Sequence, residues 1–311
     1  MISRPFRFGV QADGAGLTSA SAWRELARRV EGQGYDVLTM PDHFTDQLAP
    51  VPALMAAADA TERLRIGALV WDNDYKHPVV LAKELATMDV LSAGRVEVGI
   101  GAGWMRTDYE AAGMPYDSNA VRVDRFEEAL HVLKGAFSPG AFSFEGKHYT
   151  ITNYDALPKP AQSPWPPILI GGGGKRVLSI AARHADIIGI NGTMMHGAID
   201  ASALATMTAE AVDAKVALVN DVAAGREFEL NVRAFMVQVT DNRDAAAEQV
   251  GAMVGFSCDQ ILESPFALIG NPKQLADDLL ARRARWGFSY IIVGASDVDA
   301  FAPVVEELSG R

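Results

Sequence analysis

One histidine in this sequence lies where a general acid would be useful. The segment Pro41-Asp42-His43-Phe44 directly follows an apolar run that is typical of a buried strand. If that strand belongs to a barrel, the His43 imidazole faces the open carboxyl end, where it can exchange a proton near neutral pH. The alternative is a structural histidine that is hydrogen-bonded to Asp42. The spacing Asp42-His43-x-x-Asp46 also leaves a metal site open, but the other histidines lack paired ligand spacing, so we expect no metal.

Four consecutive glycines, Gly171, Gly172, Gly173 and Gly174, stand between an apolar run and a helical pattern that begins at Lys175. Glycines let a backbone approach a ligand closely, and the first turn of a helix directs free N–H groups at an anion. Phosphate groups commonly bind around the late loops of α/β barrels. The run therefore predicts a phosphate site. The alternative is a turn in which glycine serves only steric needs.

A second glycine motif, residues 99–104 (Gly-Ile-Gly-Ala-Gly-Trp), also follows a strand-like run. Its Gly-x-Gly-x-Gly spacing differs from the Gly-x-Gly-x-x-Gly of dinucleotide-binding folds, and no second strand with a terminal acid follows at the required distance. We therefore expect the small residues Gly101, Ala102 and Gly103 to form a loop that lies flat against a planar ring.

These motifs need a scaffold that brings strand ends together. Mostly continuous apolar runs, typical of parallel strands buried on both faces, cover residues 6–11, 35–40, 64–70, 95–100, 167–170, 185–190, 229–239 and 290–293. Helical patterns lie at residues 21–33, 77–91, 175–183, 201–223, 244–251, 272–285 and 298–308, and one more follows the cap Asp117-Ser118-Asn119. This alternation predicts an α/β protein with a (β/α)8 TIM barrel, and a doubly wound open sheet is the rival architecture.

Two connections are too long for simple βα units. The first, residues 101–166, contains a helix, an expected hairpin around residues 142–151 and a proline-rich run. The second, residues 240–289, contains two helices joined by a stretch through residues 256–266. We expect these insertions, after strands four and seven, to roof a site at the strand carboxyl ends, within a single domain that covers residues 1–311.

Composition excludes several classes of protein. The chain has 311 residues, of which 49% are hydrophobic, and 28 Lys and Arg against 39 Asp and Glu give a net charge of −11. Such a chain can form a large core, and its average field repels a nucleic-acid backbone. No stretch approaches ~20 uninterrupted apolar residues, the N-terminus lacks a secretory segment, and Cys258 is the only cysteine. We therefore expect a cytoplasmic protein without membrane or nucleic-acid partners.

The ordered series of segments resembles the luciferase-like flavin and deazaflavin oxidoreductases, and most of all their coenzyme F420-dependent branch. The resemblance covers nearly the whole chain. The segments that carry it are Asp42-His43-Phe44 and residues 64–70 (LRIGALV), 77–95 (HPVVLAKELATMDVLSAGR), 98–104 (VGIGAGW), 122–128 (RVDRFEE), 146–149 (GKHY) and 170–174 (IGGGG). Each segment alone is weakly specific, whereas their order is strongly specific.

This resemblance implies roles for individual residues. His43 falls on the catalytic histidine of the family, with Asp42 beside it. A non-prolyl cis peptide that supports the deazaflavin from behind falls near Leu69 and Val70. The loop that passes close to the ring and the amides that hold the cofactor phosphate fall on Gly101, Ala102 and Gly103, and on Gly171, Gly172, Gly173 and Gly174.

Three departures set this sequence apart from the sugar-phosphate dehydrogenases of that branch. Trp104 replaces a glutamate that works opposite the histidine, Gln47 replaces a tryptophan, and Met194 replaces a lysine that grips the substrate phosphate. The loss of both charged groups argues against sugar-phosphate oxidation and for a more apolar substrate. The residues predicted to contact substrate are Gln11, Gln47, Trp104 and Met194.

The reaction that the resemblance implies is hydride transfer between coenzyme F420 and a small, mainly apolar organic substrate. We expect the enzyme to act as a reductase, with His43 as the proton donor. An FMN-dependent monooxygenase of the same fold is the first alternative, because the same pocket can hold either ring. A catalytically idle flavin-binding protein is the second. We expect a small-molecule substrate and a homodimer.

Overall fold

The computed structural model describes residues 4–17 and 19–311 and contains a closed barrel of eight parallel strands. The barrel strands are β1 (Arg7–Gln11), β2 (Val37–Met40), β3 (Arg65–Ala68), β4 (Val96–Gly101), β5 (Ile168–Gly172), β6 (Ile187–Ile190), β7 (Glu229–Arg233) and β8 (Phe288–Gly294). Each strand pairs with its neighbours in chain order, and the pairing of β8 with β1 closes the ring.

The predicted fold class is therefore confirmed. Each of the eight apolar runs overlaps one barrel strand, because a strand that is covered by helices on one side and faces the barrel interior on the other must be apolar on both faces. Every residue of β2, β4, β6 and β8 is buried. The rival open sheet is wrong, since both edges of the sheet are paired.

Helices surround the barrel and also lie in its connections. Their bounds are α1 (Ala20–Gly32), α2 (Pro50–Asp59), α3 (Pro78–Leu91), α4 (Arg106–Ala112), α5 (Asn119–Phe137), α6 (Lys175–His184), α7 (Ala201–Ala205), α8 (Ala209–Ala223), α9 (Arg243–Val254), α10 (Cys258–Glu263), α11 (Pro272–Trp286) and α12 (Val298–Leu308). The Ser118 side chain caps α5 by accepting from the N–H of Val121, as the capping pattern predicted. No helix among the described residues is long and apolar enough to cross a bilayer.

Two sequence predictions about the elements are wrong in detail. The helix expected over residues 201–223 is broken into α7 and α8, because the Thr208 side chain caps a new helix by accepting from the N–H of Ala211. The run 229–239 is not one strand: β7 ends at Arg233, and Met236–Val239 leaves the barrel and pairs in parallel with Ala267–Gly270.

The two long connections contain the expected insertions. The first includes α4, α5 and an antiparallel hairpin of Phe142–Glu145 with Thr150–Tyr154, which confirms the predicted hairpin. The second includes α9, α10, α11 and the small parallel sheet described above. Helices α2, α4 and α10 had no clear signal, because each is short or follows a turn without a long apolar stripe.

A network of ion pairs fills the amino end of the barrel interior. The Arg7 guanidinium lies 2.6 Å from a Glu97 oxygen and 2.7 Å from a Glu229 oxygen. Arg65 reaches the same Glu97 oxygen at 2.8 Å, and Arg7 stacks on the Tyr290 ring at 3.6 Å from its centroid. Although burial opposes it, the nearby Arg7 and Arg65 guanidinium groups hold the pKa of Glu97 below its usual range.

Candidate active site

The carboxyl ends of the barrel strands open into a cavity of about 550 Å³. Its walls include Gln11, Asp42, His43, Leu69, Val70, Gly101, Ala102, Gly103, Trp104, Gly171, Gly172, Gly173, Gly174 and Met194. These residues follow or end six different strands, so closure of the barrel alone brings them together. The residues predicted from separate motifs, with the exception of Gln47, thus line one cavity.

The His43 imidazole lies at the cavity wall after β2, with its partner on another element. Its Nδ1 is 2.6 Å from Oδ2 of Asp108, which lies in the first turn of α4 and is 3% exposed. The hydroxyl of Tyr75 donates to the same oxygen at 3.0 Å. The structural alternative, a bond from His43 to Asp42, is wrong, because an Asp42 oxygen instead accepts from the backbone N–H of Asp72 at 3.1 Å. Sequence reasoning missed Asp108, since no spacing links two residues 65 positions apart.

A bulge after β3 forms one wall of the cavity. The Leu69–Val70 peptide bond is cis, at the position that the family resemblance implied. The Val70 side chain packs against glycines of the two following strands. A Cβ on Gly101 would lie 2.8 Å from Cγ2 of Val70, and a Cβ on Gly171 would lie 3.4 Å from Cγ1. Gly101 therefore leaves room for a side chain that flanks the cavity, whereas a Cβ on Gly171 would be in ordinary contact with it.

The loop after β4 also depends on a glycine. Gly103 has φ of +74°, a backbone conformation that other residues rarely adopt, and a Cβ there would overlap the Tyr109 hydroxyl. The predicted flat loop therefore keeps its backbone close to the hydroxyl and to Asp72 behind it. Trp104 follows directly, and its ring meets the His43 ring edge to face at a centroid distance of 5.7 Å.

The glycine run after β5 leads into the first turn of α6. Gly174 is the N-cap residue of this helix, so the cap contributes no side-chain acceptor for the first N–H groups. A Cβ on Gly173 would overlap the carbonyl oxygens of Asn191 and Gly192, which shows that this glycine is required by contact with the loop after β6. Lys175 and Arg176 line the cavity at the same end. The arrangement offers backbone donors and the Lys175 cation to an anion, whereas the Arg176 guanidinium is paired with Asp124.

Gln11 and Arg233 form a polar chain beside the bulge. The Gln11 amide donates to the carbonyl oxygen of Leu69 at 2.8 Å and accepts from Nε of Arg233 at 3.0 Å. Nη1 of Arg233 is buried and has no partner among residues 4–17 and 19–311. Burial lowers the pKa of Arg233 to about 10. Sequence reasoning missed Arg233, because it treated residues 229–239 as an uninterrupted strand.

A second unpartnered guanidinium atom lies at the other side of the cavity. Arg122 is 3% exposed, and its Nε has no partner within the described part of the chain. Its remaining nitrogens donate to the Asp117 carbonyl and to the Asn119 side chain, which hold the group in place. Buried polar atoms that lack partners in a cavity wall are expected where a polar ligand completes them.

Apolar residues form another part of the cavity wall, and one predicted contact residue lies outside it. Met194 lies on the loop after β6, and the exposed side chains of Met195, Ile199 and Phe235 lie on the same wall. Gln47 is not part of this wall in the described structure. Its amide donates to the carbonyl oxygens of Pro41 at 2.9 Å and Leu48 at 3.3 Å, so it braces the loop after β2. The structure therefore does not bring Gln47 together with the other predicted contact residues.

A buried acid lies behind the flat loop. The carboxylate of Asp72 accepts from the Tyr109 hydroxyl at 3.0 Å and from the backbone N–H of Asp74 at 2.9 Å. Burial raises the pKa of Asp72 to about 7. The Tyr109 hydroxyl oxygen also lies 3.0 Å from an Asp74 oxygen, and Asp74 is paired with Arg125 at 2.8 Å. This network connects the loop after β4 with α5.

Comparison with known proteins agrees with this geometry. A family model described as luciferase-like monooxygenase matches residues 2–262. The chain belongs to the luciferase-like monooxygenase family. The family that the sequence predicted is thus confirmed, and with it the prediction of an oxidoreductase that uses F420 or a flavin.

Family relatives include enzymes of both cofactor types. An FMNH(2)-dependent dimethylsulfone monooxygenase of Pseudomonas putida is 29% identical over 323 residues, covering 92% of this chain and 88% of that protein. An F420-dependent glucose-6-phosphate dehydrogenase of Amycolatopsis mediterranei is 29% identical over 173 residues, covering 52% of this chain and 50% of that protein. Membership in the family therefore admits either cofactor.

Solved structures support the fold. The coenzyme F420-dependent tetrahydromethanopterin reductase of Methanopyrus kandleri superposes with a TM-score of 0.78 and 18% identity, covering 98% of both chains. Long-chain alkane monooxygenase superposes with the same TM-score of 0.78 and 16% identity, covering 99% of this chain and 92% of that one. At these identities the likeness shows the fold alone.

Proposed function

We propose that this protein is an F420-dependent reductase that transfers a hydride to a small, mainly apolar organic acceptor. The observation that carries the proposal is the placement of a phosphate-type cradle, a ring-sized wall and a histidine in one cavity of about 550 Å³. The F420-dependent relatives in the family and among the solved structures support it. When bound, the deazaflavin would supply the two-electron chemistry.

The residues of the cavity fit such a cofactor. The first turn of α6, with Gly174 at its cap and Lys175 and Arg176 beside it, would hold the phosphate. The Val70 bulge and the flat loop ending in Gly103 would hold the ring between them. The unpartnered guanidinium atoms of the cavity wall would bind polar oxygens of the cofactor or the substrate.

The substrate class follows from the apolar side chains of the cavity wall. Trp104 and Met194 carry no charge, and the exposed Met195, Ile199 and Phe235 make the entrance apolar. These side chains exclude water and favour an apolar body, such as that of an enone or imine. His43 would donate a proton to the atom of the acceptor on which negative charge develops.

A cofactor titration tests the proposal. Fluorescence quenching should show F420 binding in the micromolar range or tighter, and a screen of unsaturated acceptors should then find one that oxidises reduced F420. Glucose 6-phosphate should not be oxidised, because the cavity wall lacks the acid and the lysine at positions 104 and 194. Tight binding of FMN without binding of F420, or rapid oxidation of glucose 6-phosphate, would contradict the proposal.

An FMN-dependent monooxygenase is the second candidate. The observation that favours it is the dimethylsulfone monooxygenase relative, which matches 92% of this chain, compared with 52% for the F420-dependent dehydrogenase. The phosphate cradle and the ring wall suit FMN as well. The two candidates differ in one measurement: reduced FMN with oxygen should give substrate oxygenation only if the second candidate is correct.

A further inference from the structure

We propose that Asp108 is a positioning residue that keeps one hydrogen of the His43 ring on Nδ1. The other ring nitrogen, Nε2, then takes up the transferable proton and delivers it into the cavity. The use of that proton rests on the proposed function. Its placement on the ring rests on the geometry of the pair, and it can be measured without any cofactor.

The contact between the two side chains selects one tautomer. A carboxylate only accepts hydrogen bonds, so the 2.6 Å contact between Asp108 Oδ2 and His43 Nδ1 places the hydrogen on Nδ1. The Tyr75 hydroxyl donates to the same oxygen at 3.0 Å. Burial, together with the nearby Asp72 and Asp108 carboxylates, raises the pKa of Tyr75, which keeps the phenol a donor. Oδ2 therefore receives two donors and is held in place from both sides.

The orientation of the ring is restricted by a second neighbour. The Trp104 ring meets it edge to face, with an interplanar angle of 86°. The Asp108 side chain is 3% exposed and the His43 side chain is 20% exposed, so the contact is shielded while the ring edge stays accessible from the cavity. The pair thus aims the remaining ring nitrogen, Nε2, away from α4.

The charged and polar groups around the ring come from several elements. Asp108 and the hydroxyl of Tyr75 face the ring from other elements, and Asp42 adjoins it in the chain. Asp72 and Lys76 lie near Asp42 and act on it electrostatically.

The step that follows is balanced. A bound reduced deazaflavin would supply the hydride to the electrophilic carbon of the acceptor, and Nε2 of the His43 imidazolium would supply the proton to the neighbouring atom. The N–H bond at Nε2 breaks, and the ring becomes neutral with its remaining hydrogen on Nδ1. Asp108 accepts from Nδ1 and transfers no proton, as expected for a carboxylate that orients a catalytic histidine.

The first test is nitrogen NMR of the unmodified protein with 15N-labelled histidines. The His43 signals are assigned by their loss in His43→Ala. In the pH range where the ring is neutral, we expect Nδ1 to be protonated and Nε2 to be unprotonated, with or without cofactor. A neutral ring that carries its hydrogen on Nε2 would overturn the proposal.

The second test is Asp108→Asn, measured with the acceptor that the screen identifies. We expect kcat to fall by about one to two orders of magnitude, while the cofactor Kd and the substrate KM change by a few-fold at most. Asp89→Asn is the matched control, because it likewise removes a buried carboxylate that accepts a hydrogen bond from a side chain. Asp89 is 0% exposed, accepts from Gln162 and lies at the other end of the barrel. It should leave kcat unchanged.

The outcomes separate this inference from the proposed function. An unchanged kcat in Asp108→Asn, or an equal fall in Asp89→Asn, would overturn the positioning role. If F420 does not bind at all, the proposed function fails, whereas the NMR measurement still decides on which nitrogen the hydrogen lies.

Discussion

The two ends of the barrel interior hold polar groups in opposite ways. At the amino end, Arg7 and Arg65 are paired with Glu97, and Arg7 also with Glu229, through contacts of 2.6 to 2.8 Å. At the carboxyl end, Nη1 of Arg233 and Nε of Arg122 are buried without partners among the described residues. One end satisfies its charges within the protein, and the other leaves donors for something that the protein binds.

This difference predicts that the polar groups at the amino end of the barrel serve stability and those at the carboxyl end serve function. A buried charge without a partner raises the free energy of the folded state, so it persists where a ligand or reaction uses it. A buried charge within a complete network specifies the packing of the strands that carry it. Substitutions at the amino end should therefore change the free energy of unfolding, and substitutions at the carboxyl end should change binding and turnover.

The largest effect is expected from Arg7→Met. Loss of the guanidinium leaves Glu97 and Glu229 close together and without their shared partner, which should lower the free energy of unfolding by about 3–5 kcal/mol. Chemical denaturation measures it. Arg4→Met is the matched control, because Arg4 and Glu227 form an exposed pair at 3.9 Å that should contribute less than about 1 kcal/mol. Equal effects of the two substitutions would contradict the comparison.

His43→Ala should reduce turnover and leave stability nearly unchanged. Removal of the proton donor should reduce kcat by about two orders of magnitude, while the cofactor Kd changes by a few-fold and the melting temperature changes little. Steady-state kinetics with the identified acceptor and a thermal melt measure both. Unchanged turnover would leave His43 with a structural role only, and a large loss of stability would place it with the amino-end network.

Gly174→Asp should weaken cofactor binding and stabilise the fold. The new carboxylate can cap α6, as Asp does at many helix starts, but it repels a phosphate at the same position. We expect the cofactor Kd to rise about tenfold, with an unchanged or higher melting temperature. Gly174→Asn is the uncharged control and should raise Kd less. Gly173 is unsuitable for this test, because any Cβ there overlaps the carbonyl oxygens of Asn191 and Gly192. Equal Kd values for Gly174→Asp and the parent would place the phosphate elsewhere.

The smallest effect is expected from Asp72→Asn. Burial raises the pKa of Asp72 to about 7, well above the ordinary value of about 3.8, so the folded state holds this proton more tightly than the unfolded state. Its contribution to stability is present below about pH 4 and is lost as the pH rises through about 7. An asparagine keeps the acceptor for Tyr109 and does not titrate. Relative to the parent, the variant should therefore gain on the order of 1 kcal/mol between pH 5 and 7. Parallel stability curves for the two proteins would contradict the assignment.

Local sequence patterns predicted much of the fold and part of the site. The barrel strands were visible because burial on both faces requires continuous apolar runs, and the insertions were visible because their length exceeds a simple βα unit. Motifs such as Asp42-His43 and the glycine run 171–174 stand at strand ends, and all strand ends of a parallel barrel meet at one face. Their shared cavity was therefore predictable without knowledge of any side-chain contact.

The sequence by itself determined the eight strands, their parallel order and many of the residues that line the cavity, because these depend on periodicity and on chain direction. Only the tertiary structure decided which partners meet. His43 pairs with Asp108 rather than Asp42, Gly101 makes room for Val70, and Gln47 braces a loop. Such contacts join elements that are far apart in the chain. Whether they form depends on differences in distance of a few tenths of an ångström, which no local sequence pattern records.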